Sequence, residues 1–243
     1  MRSTQFKHEQ NVTNMDEMIT RVQTFGEKYQ PSRAALLIPN LTKIKDDGGV
    51  CIEETHTATV LMNNAISFRK TLYSDFDKYV TRINNAVKVS GASNEVIDQF
   101  QNIVRELRSQ RSTDKPENTD TTENENDPVN RSVTLHLAAY DRKASNFNRL
   151  VVFLKEIPEY KPNEPDLTIE AISAKSVEYK NANLAITSAS VLVDTHTNKR
   201  DQVLYEEGVG LVDVGLAVKN YVKSAFGAGS AQYKAVSNIS FNK

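Results

Sequence analysis

The sequence is poor in chain breakers and in cysteine, with only 9 glycines, 7 prolines and 1 cysteine among 243 residues. A β-sandwich needs a turn about every 8 to 12 residues, so this composition argues against one and leaves room for long helices. The single cysteine, Cys51, has no partner for an intramolecular disulfide, which fits a reducing compartment. We therefore predict an all-α protein located in the cytoplasm.

Long apolar runs and an excess of charge of one sign are also missing. The first ten residues hold no apolar run of the about 7 to 15 residues found in secretory signals. No later stretch approaches the roughly 20 apolar residues that a membrane span requires. The formal net charge of −1 provides no basic field that would attract nucleic acid or an anionic membrane. We expect no membrane span and no nucleic-acid partner.

In the first half of the chain, apolar residues recur at steps of three and four, which predicts amphipathic helices. The predicted helices cover residues 12–25, 33–73, 76–87 and 94–107. The glycine pair at 48–49 disfavours helix by about 1 kcal/mol per residue relative to alanine. It leaves open whether the long second helix is continuous, kinked or broken by a short loop.

The second half repeats this pattern. It predicts helices over 147–157, 165–205 and 214–225, followed by a short helix up to residue 239 that Ser230 caps.

The long helix over 165–205 carries apolar residues on two faces. Ile172 and Tyr179 follow each other at heptad spacing, whereas Leu184 and Val191 fall on a different face. We therefore expect this helix to be covered by protein from two sides.

Residues 112–130 hold six acidic residues and one lysine and almost no apolar residue. Low hydrophobicity with high net charge does not repay the entropy of ordering, so we predict a flexible acidic linker. The alternative is an acidic docking segment for a basic partner.

The chain contains an internal repeat. Tyr29-Gln30-Pro31-Ser32 recurs as Tyr160-Lys161-Pro162-Asn163 before the second long helix. The tyrosines are interpreted as packing anchors, and Ser32 and Asn163 as helix caps. Further positions align with few insertions. We predict an internally duplicated antiparallel helical bundle with repeats at 1–111 and 131–243, related by a pseudo-two-fold axis and packed together.

Three segments carry a resemblance to a known family: Tyr160-Lys161-Pro162-Asn163-Glu164, Val203-Leu204-Tyr205 and Val218–Gly227. They resemble a family of duplicated, all-helical bacterial proteins with no established activity. The resemblance implies a duplicated helical architecture and a bacterial cytoplasm, and it transfers no catalytic residue. The first copy departs from the family pattern at its glycine pair 48–49.

Motifs that would fix a reaction are not evident. Glu53 and His56 have the Glu-x-x-His spacing of di-iron bundles, but the aligned positions 184–187 offer no second pair, so a solvated helix face is the preferred interpretation. Cys51 lies in no nucleophile motif, and no phosphate loop is present. We expect no catalytic residue, no cofactor and no metal.

Polar residues that occur at matching positions of both repeats are the candidate binding surface. We expect them to line one surface or cleft in each repeat. Its members are Arg69, Tyr73, Asn85 and Lys88 in the first repeat and Arg200, Tyr205, Asn220 and Lys223 in the second.

The sequence thus predicts a non-catalytic helical-bundle protein whose long, coiled-coil-like helices bind an unknown protein partner or a second copy. The alternative is a module that binds a small apolar ligand in a cavity between the repeats.

Overall fold

The computed structural model describes residues 2–109 and 128–243, and side chains over 5–108 and 138–243. Within these ranges the chain forms α-helices and three short 3-10 helices, and no strand. The all-α prediction is confirmed. No helix in the described ranges has the length and apolar character to cross a membrane. The elements, in order, are α1 (Arg2–Gln23), a 3-10 helix (Gly26–Lys28), a 3-10 helix (Ala34–Leu36), α2 (Ile38–Leu72), α3 (Phe76–Lys88), α4 (Asn94–Ser109), α5 (Pro128–Lys155), a 3-10 helix (Pro165–Leu167), α6 (Ile169–Tyr205), α7 (Leu211–Phe226) and α8 (Ala231–Ser237).

Each predicted helix is present, but two start well before their apolar patterns indicate. The helix predicted over 12–25 is α1, which begins at Arg2. The pattern over 147–157 lies in the second half of α5, which begins at Pro128. Residues 128–130 of the predicted acidic linker therefore belong to this helix, and that end of the linker was placed wrongly. Residues 112–127 of the linker lie outside the described residues.

The glycine pair at 48–49 does not interrupt α2, which is continuous from Ile38 to Leu72. Gly48 is buried, and a Cβ atom there would lie 3.2 Å from side-chain atoms of Val12 and Leu204. A Cβ atom on Gly49 would meet no atom within 4 Å. Close packing thus explains Gly48, while no contact in the structure explains Gly49.

The two glycines are therefore expected to respond oppositely to substitution. Gly49→Ala should raise the free energy of unfolding by about 0.5 to 1 kcal/mol because alanine loses less entropy in a helix. Gly48→Val should lower it by about 1 to 3 kcal/mol because the new methyl groups overpack the core. Urea denaturation of both variants checks this, and an equal response of the two would contradict it.

The chain divides into two compact units: unit 1, Met1–Met62 with Ala189–Lys243, and unit 2, Asn63–Ser188. One part of α2 and one part of α6 belong to unit 1, and the remaining part of each helix belongs to unit 2. Each unit thereby combines helices from both predicted repeats, and its boundaries differ from the repeat boundaries at 1–111 and 131–243. The internal duplication and its pseudo-two-fold axis stay predictions.

Unit 2 is built around an aromatic core. The ring of Phe147, on α5, lies with its centroid 5.6 Å from that of Phe76 and 5.1 Å from that of Tyr179. Phe76 and Tyr179 contact each other edge to face at 5.2 Å. Aliphatic side chains of α3, α4 and α5 complete this core, including Val80, Ile83, Val87, Leu150 and Leu154.

Unit 1 has an aliphatic core with methionines instead. Its fully buried members come from α1, α2, α6, α7 and α8 and include Met15, Met18, Val22, Leu41, Leu204, Leu211, Val218, Val222 and Val236.

The two Tyr-x-Pro turns are built alike. The buried hydroxyl of Tyr29 donates a hydrogen bond to the carbonyl of Leu36 at 2.8 Å, and that of Tyr160 to the carbonyl of Leu167 at 2.9 Å. The interpretation of both tyrosines as packing anchors is confirmed.

The predicted caps in these turns are wrong. Neither Ser32 nor Asn163 caps a helix, because the 3-10 helices begin one residue later, without a side-chain cap. The α-helix α6 is instead capped by Thr168, whose Oγ1 accepts a hydrogen bond from the Ala171 N–H at 3.2 Å. Ser230 does cap α8, accepting from the Tyr233 N–H at 3.0 Å.

The expected cover on the second face of α6 is not present in the described structure. Ile172 and Tyr179 are buried as predicted, but Leu184 is 53% exposed and Val191 is 59% exposed. The heptad face therefore packs in the core while the other face contacts solvent.

Candidate ligand-binding site

The predicted polar residues fall into two groups with different surroundings. Asn85, Lys88, Asn220 and Lys223 are exposed side chains of α3 and α7. The other four members, Arg69, Tyr73, Arg200 and Tyr205, are buried or partly buried. The structure therefore brings arginine and tyrosine together within each unit, and leaves the asparagine and lysine residues on the surface.

Arg69 lies in the last turn of α2 and is only 4% exposed. Its guanidinium carbon sits 4.1 Å from the centre of the Tyr140 ring. The Nη1 atom is buried and has no hydrogen-bond partner among the described residues. Burial lowers the pKa of Arg69, against smaller effects of Tyr140 and Tyr73 that raise it.

Tyr73 continues this cluster one turn further along the chain. Its ring contacts Tyr140 at 4.8 Å and Tyr179 at 4.5 Å between centroids. Its buried hydroxyl interacts with the amide of Asn183, although no contact of the hydroxyl within the described structure has the distance and angle of a full hydrogen bond. Burial raises the pKa of Tyr73 to about 12, and the weak hydrogen bond with Asn183 acts in the opposite direction.

Asn183, on α6, is the third member and is 3% exposed. Neither Oδ1 nor Nδ2 of its amide has a hydrogen-bond partner among the described residues. We call Arg69, Tyr73 and Asn183 the polar cluster.

The polar cluster is energetically unfavourable as it stands. A buried polar group without a partner costs about 1 to 3 kcal/mol, and a charged one costs more. Nearly all buried polar groups in native proteins are therefore hydrogen-bonded, and each exception requires an explanation. Tyr73 and Asn183 compensate each other in part, whereas Nη1 of Arg69 has no partner among the described residues.

A cavity of about 540 Å³ adjoins this cluster between α5 and α6. Its volume lies within the range of about 300 to 1,000 Å³ that is usual for small-molecule pockets. Asn183 belongs both to the cavity wall and to the polar cluster, and so connects the two. The polar residues of the wall are Asp141, Ser145, Asn148, Ser176, Lys180 and Asn183.

The tyrosine of unit 1 is fully partnered. The hydroxyl of Tyr205 forms a hydrogen bond with Nδ1 of His8, and it accepts a weaker one from Asn11 at 3.4 Å. Asn11 also donates to the carbonyl of Asn242 at 2.7 Å and accepts from the N–H of Asn242 at 2.9 Å. The C-terminal segment thereby satisfies the amide of Asn11, which in turn contacts the Tyr205 hydroxyl.

The arginine of unit 1 is also paired, because Arg200 forms an ion pair with Asp201 at 2.7 Å. Arg200 thus differs from Arg69, which has no ion-pair partner among the described residues.

The buried His8 is expected to make unit 1 sensitive to acid. Burial and the charge of Arg200 lower its pKa, so the folded state disfavours its protonation. The resulting stability is complete above the unfolded pKa of about 6.5 and is lost as pH falls through the lower folded value. One proton corresponds to at most about 1.4 kcal/mol per pH unit.

The test compares unfolding free energies at pH 7.5 and below pH 6 in the wild type, His8→Gln and the exposed control His56→Gln. His8→Gln should show a smaller loss on acidification than the wild type, whereas His56→Gln should lose as much as the wild type. An undiminished loss in His8→Gln would contradict the assignment.

A second titratable cluster lies in unit 1, between α2 and α6. Oε2 of Glu54 accepts a hydrogen bond from Nζ of Lys199 at 2.9 Å and lies 3.3 Å from Nδ1 of His196. The hydrogen bond from Lys199 is the main cause that lowers the pKa of Glu54. Cys51 is buried nearby, and burial raises the pKa of its thiol, which favours the unreactive protonated form.

The pair that the sequence suggested, Glu53 and His56, is exposed on α2. Among the described residues, no group of three histidine, cysteine or carboxylate side chains is arranged to hold a metal ion. The contact between Glu54 and His196 was missed because it joins two helices that are distant in sequence.

Sequence reasoning found two of the three members of the polar cluster. Arg69 and Tyr73 were marked by their recurrence in the second repeat. Asn183 was missed, since its importance comes from packing beside Tyr73 and no repeated pattern marks it.

No protein-family model, no curated protein and no solved structure matches the chain. The function is therefore inferred from the geometry described above.

Proposed function

We propose that this chain is a non-catalytic ligand-binding protein, and that unit 2 binds a small polar molecule between α5 and α6. The observation that carries the proposal is the cavity between α5 and α6, whose wall includes Asn183, a buried amide that makes no full hydrogen bond among the described residues. A bound molecule with matching donors and acceptors would remove this cost on binding, which gives a direct source of affinity.

The side chains of the cavity wall favour recognition over bond breaking. Ser176, the best buried hydroxyl of the wall, directs its Oγ toward the amide oxygen of Asn148 at 3.4 Å, which is not a base that would activate it. The wall combines hydroxyl, amide and amine groups with the carboxylate of Asp141, and a few polar groups spaced around a cavity are typical of sites that fix the orientation of a ligand.

This proposal modifies the ligand-binding alternative suggested by the sequence. An apolar ligand between the repeats was expected, whereas the unsatisfied groups call for a polar ligand, and the proposed site lies within unit 2.

The proposal is tested by a ligand screen that follows the melting temperature. A molecule present at 100 times its Kd stabilises the folded state by about 2.7 kcal/mol, which is readily seen as a higher Tm. Asn183→Leu should abolish the response to any molecule that stabilises the wild type. Asn181→Leu on the same helix is the matched control, because Asn181 is exposed. A full response in Asn183→Leu would refute the site.

A second candidate function is the binding of a protein partner by unit 1. Val50, Leu61 and Leu192 are each about half exposed around a groove of about 310 Å³ between α2 and α6. Such a groove suits one apolar face of a partner helix. The exposed carboxylate of Glu53 on the wall favours a helix with a basic flank.

Leu61→Asp should weaken such a complex at least tenfold, since it places a charge in the apolar contact. Val89→Asp, at an exposed site of unit 2, should not. Equal binding by both variants would exclude this groove.

We also retain the internal duplication and the bacterial cytoplasm as proposals. The matching tyrosine to leucine hydrogen bonds of the two turns support the duplication, and the segment Val218–Gly227 carries the resemblance on which the bacterial origin rests.

A further inference from the structure

The second Tyr-x-Pro turn borders a cavity that shares no wall residue with the one between α5 and α6. This cavity has a volume of about 550 Å³ and lies in unit 2, between α3 and the turn. Its wall includes Asn85, Ala86 and Val89 of α3 and Lys161, Pro162 and Leu167 of the turn. We call it the turn cavity.

The surroundings of the turn cavity have a counterpart in unit 1. The segment Asn85-Ala86-Val87-Lys88 of α3 and the segment Asn220-Tyr221-Val222-Lys223 of α7 differ at one position. Val87 and Val222 are both fully buried, so the two segments pack into their cores through the same residue. The turns beside these helices make the same hydrogen bond from tyrosine to leucine. Ala86 in unit 2 therefore corresponds to Tyr221 in unit 1.

In unit 1, the side chain of Tyr221 fills the space between α7 and the first turn. Its ring contacts Tyr29 edge to face, with 5.3 Å between the ring centroids. Its hydroxyl oxygen accepts a hydrogen bond from the backbone N–H of Gln30 at 3.0 Å. A phenol ring thus connects the helix to the turn by an aromatic contact and a hydrogen bond.

In unit 2, the corresponding space holds no such ring. Ala86 contributes only a methyl group to the wall. The backbone N–H of Lys161, which corresponds to that of Gln30, donates no hydrogen bond to any described residue. Tyr160 is only 3% exposed and does not line the cavity. A ring bound there would therefore pack on the apolar groups of Ala86 and Pro162.

The charges of the wall favour an uncharged ligand group over an anion. Arg82 is neutralised by Asp166, to which it donates two hydrogen bonds. The remaining charged residues of the wall are Lys161 and the two acids Glu159 and Glu164. Two carboxylates against one lysine disfavour a phosphate or a carboxylate on the ligand. The hydroxyl of a phenol accepts a hydrogen bond without carrying a charge.

The size of the turn cavity indicates more than a single ring. A cavity of about 150 Å³ is enough to bind benzene, which leaves most of the 550 Å³ for further groups. Asn85, Ser90 and Asn163 add amide and hydroxyl groups to the wall. Such groups can donate to and accept from the peptide groups that flank a side chain.

We propose that the turn cavity binds the tyrosine side chain of a peptide segment from a partner protein. The phenol oxygen accepts a hydrogen bond from the N–H of Lys161, as that of Tyr221 does from Gln30. The ring packs on Ala86 and Pro162. This site uses other residues than the cavity between α5 and α6, so each of the two can fail without the other.

The test titrates the whole ¹⁵N-labelled chain with N-acetyltyrosinamide, N-acetylphenylalaninamide and 4-methylphenol, followed by NMR. We expect the tyrosine compound to bind and the phenylalanine compound to bind about fivefold more weakly, because one hydrogen bond is lost. The amide proton signal of Lys161 should move downfield only with the compounds that carry a hydroxyl. Because it has no peptide groups, 4-methylphenol should bind more weakly than N-acetyltyrosinamide.

Ala86→Tyr supplies the missing ring from the helix itself, as in unit 1. It should reduce the affinity for N-acetyltyrosinamide at least tenfold and move the Lys161 signal downfield without ligand. Asp77→Tyr is the matched control, because Asp77 is exposed and lies about 2.5 turns earlier on α3, on the opposite side of the helix. Its affinity should equal that of the wild type.

Tyr221→Ala provides the converse test in unit 1. It removes the ring that fills the corresponding space, so N-acetyltyrosinamide should bind at two sites and the amide signal of Gln30 should respond. Circular dichroism shows whether each variant is folded. If Ala86→Tyr is not folded, Tyr221→Ala decides, and a protein that still binds at one site contradicts the correspondence between the two turns.

The outcomes that overturn the proposal are specific. Equal binding of the phenylalanine and tyrosine compounds, or undiminished binding to folded Ala86→Tyr, shows that the phenol is not recognised in this cavity. Binding of 4-methylphenol as tightly as N-acetyltyrosinamide overturns the peptide and assigns the cavity to small phenols. If none of the three compounds binds, the site is refuted, while the ligand site between α5 and α6 is unaffected.

Discussion

Phe147→Ala is expected to lower the free energy of unfolding by about 3 to 5 kcal/mol, the usual cost of truncating a buried phenylalanine. Phe147 is fully buried at the centre of unit 2, and its ring contacts Phe76, Tyr79 and Tyr179. Alanine would remove these contacts and leave a cavity that three rigid rings fill poorly.

The matched control is Phe68→Ala. Phe68 is 60% exposed on α2 within the same unit, so its loss should change the free energy of unfolding by no more than about 0.5 kcal/mol. Urea denaturation, followed by circular dichroism, measures both variants. A similar effect of the two substitutions would show that the aromatic cluster does not hold unit 2 together.

Phe147 also shows why much of the fold was predictable from the sequence. Its apolar neighbours at steps of three and four placed it on a buried helix face without any knowledge of its contacts. Helix ends were equally readable where a local signal exists, as at Ser230, which caps α8 as predicted. These features depend on residues close in sequence. A local signal can still mislead, as at Ser32 and Asn163, where the 3-10 helices begin one residue later than predicted.

Features that depend on distant residues were not predictable. The sequence shows that Gly48 disfavours a helix, but it does not show the contacts with Val12 and Leu204 that leave little room for a side chain there. The continuity of α2 at this position was therefore left open. Leu184 is similar, since the sequence shows an apolar residue on a second face of α6 but does not show whether anything covers that face. The division into two units, each built from parts of α2 and α6, also arises from packing alone.

The candidate site could be predicted from the sequence only in part. The recurrence of Arg69 and Tyr73 was readable, and it singled out two residues that the structure buries together. The sequence did not show that Arg69 lacks a carboxylate partner, because a buried arginine normally pairs with a carboxylate from another element of the fold. Only the arrangement of α2, α5 and α6 in unit 2 shows that none is supplied within the described structure.

Arg69→Met is expected to raise the free energy of unfolding of the ligand-free protein, because packed apolar residues that replace buried charged side chains often stabilise a protein, by up to about 4 kcal/mol where a whole buried ion pair is replaced. Burying the guanidinium without a counter-charge costs solvation energy that methionine does not lose. The contact of Arg69 with the Tyr140 ring is lost, but a methionine sulfur near the same ring replaces part of it.

Urea denaturation of wild type, Arg69→Met and the exposed control Arg142→Met, all without added ligand, measures this effect. The control should change the free energy of unfolding by no more than about 0.5 kcal/mol. A clear loss of stability in Arg69→Met would mean that the protein itself already compensates the buried charge. A gain would show that the buried guanidinium of Arg69 lowers the stability of the ligand-free fold.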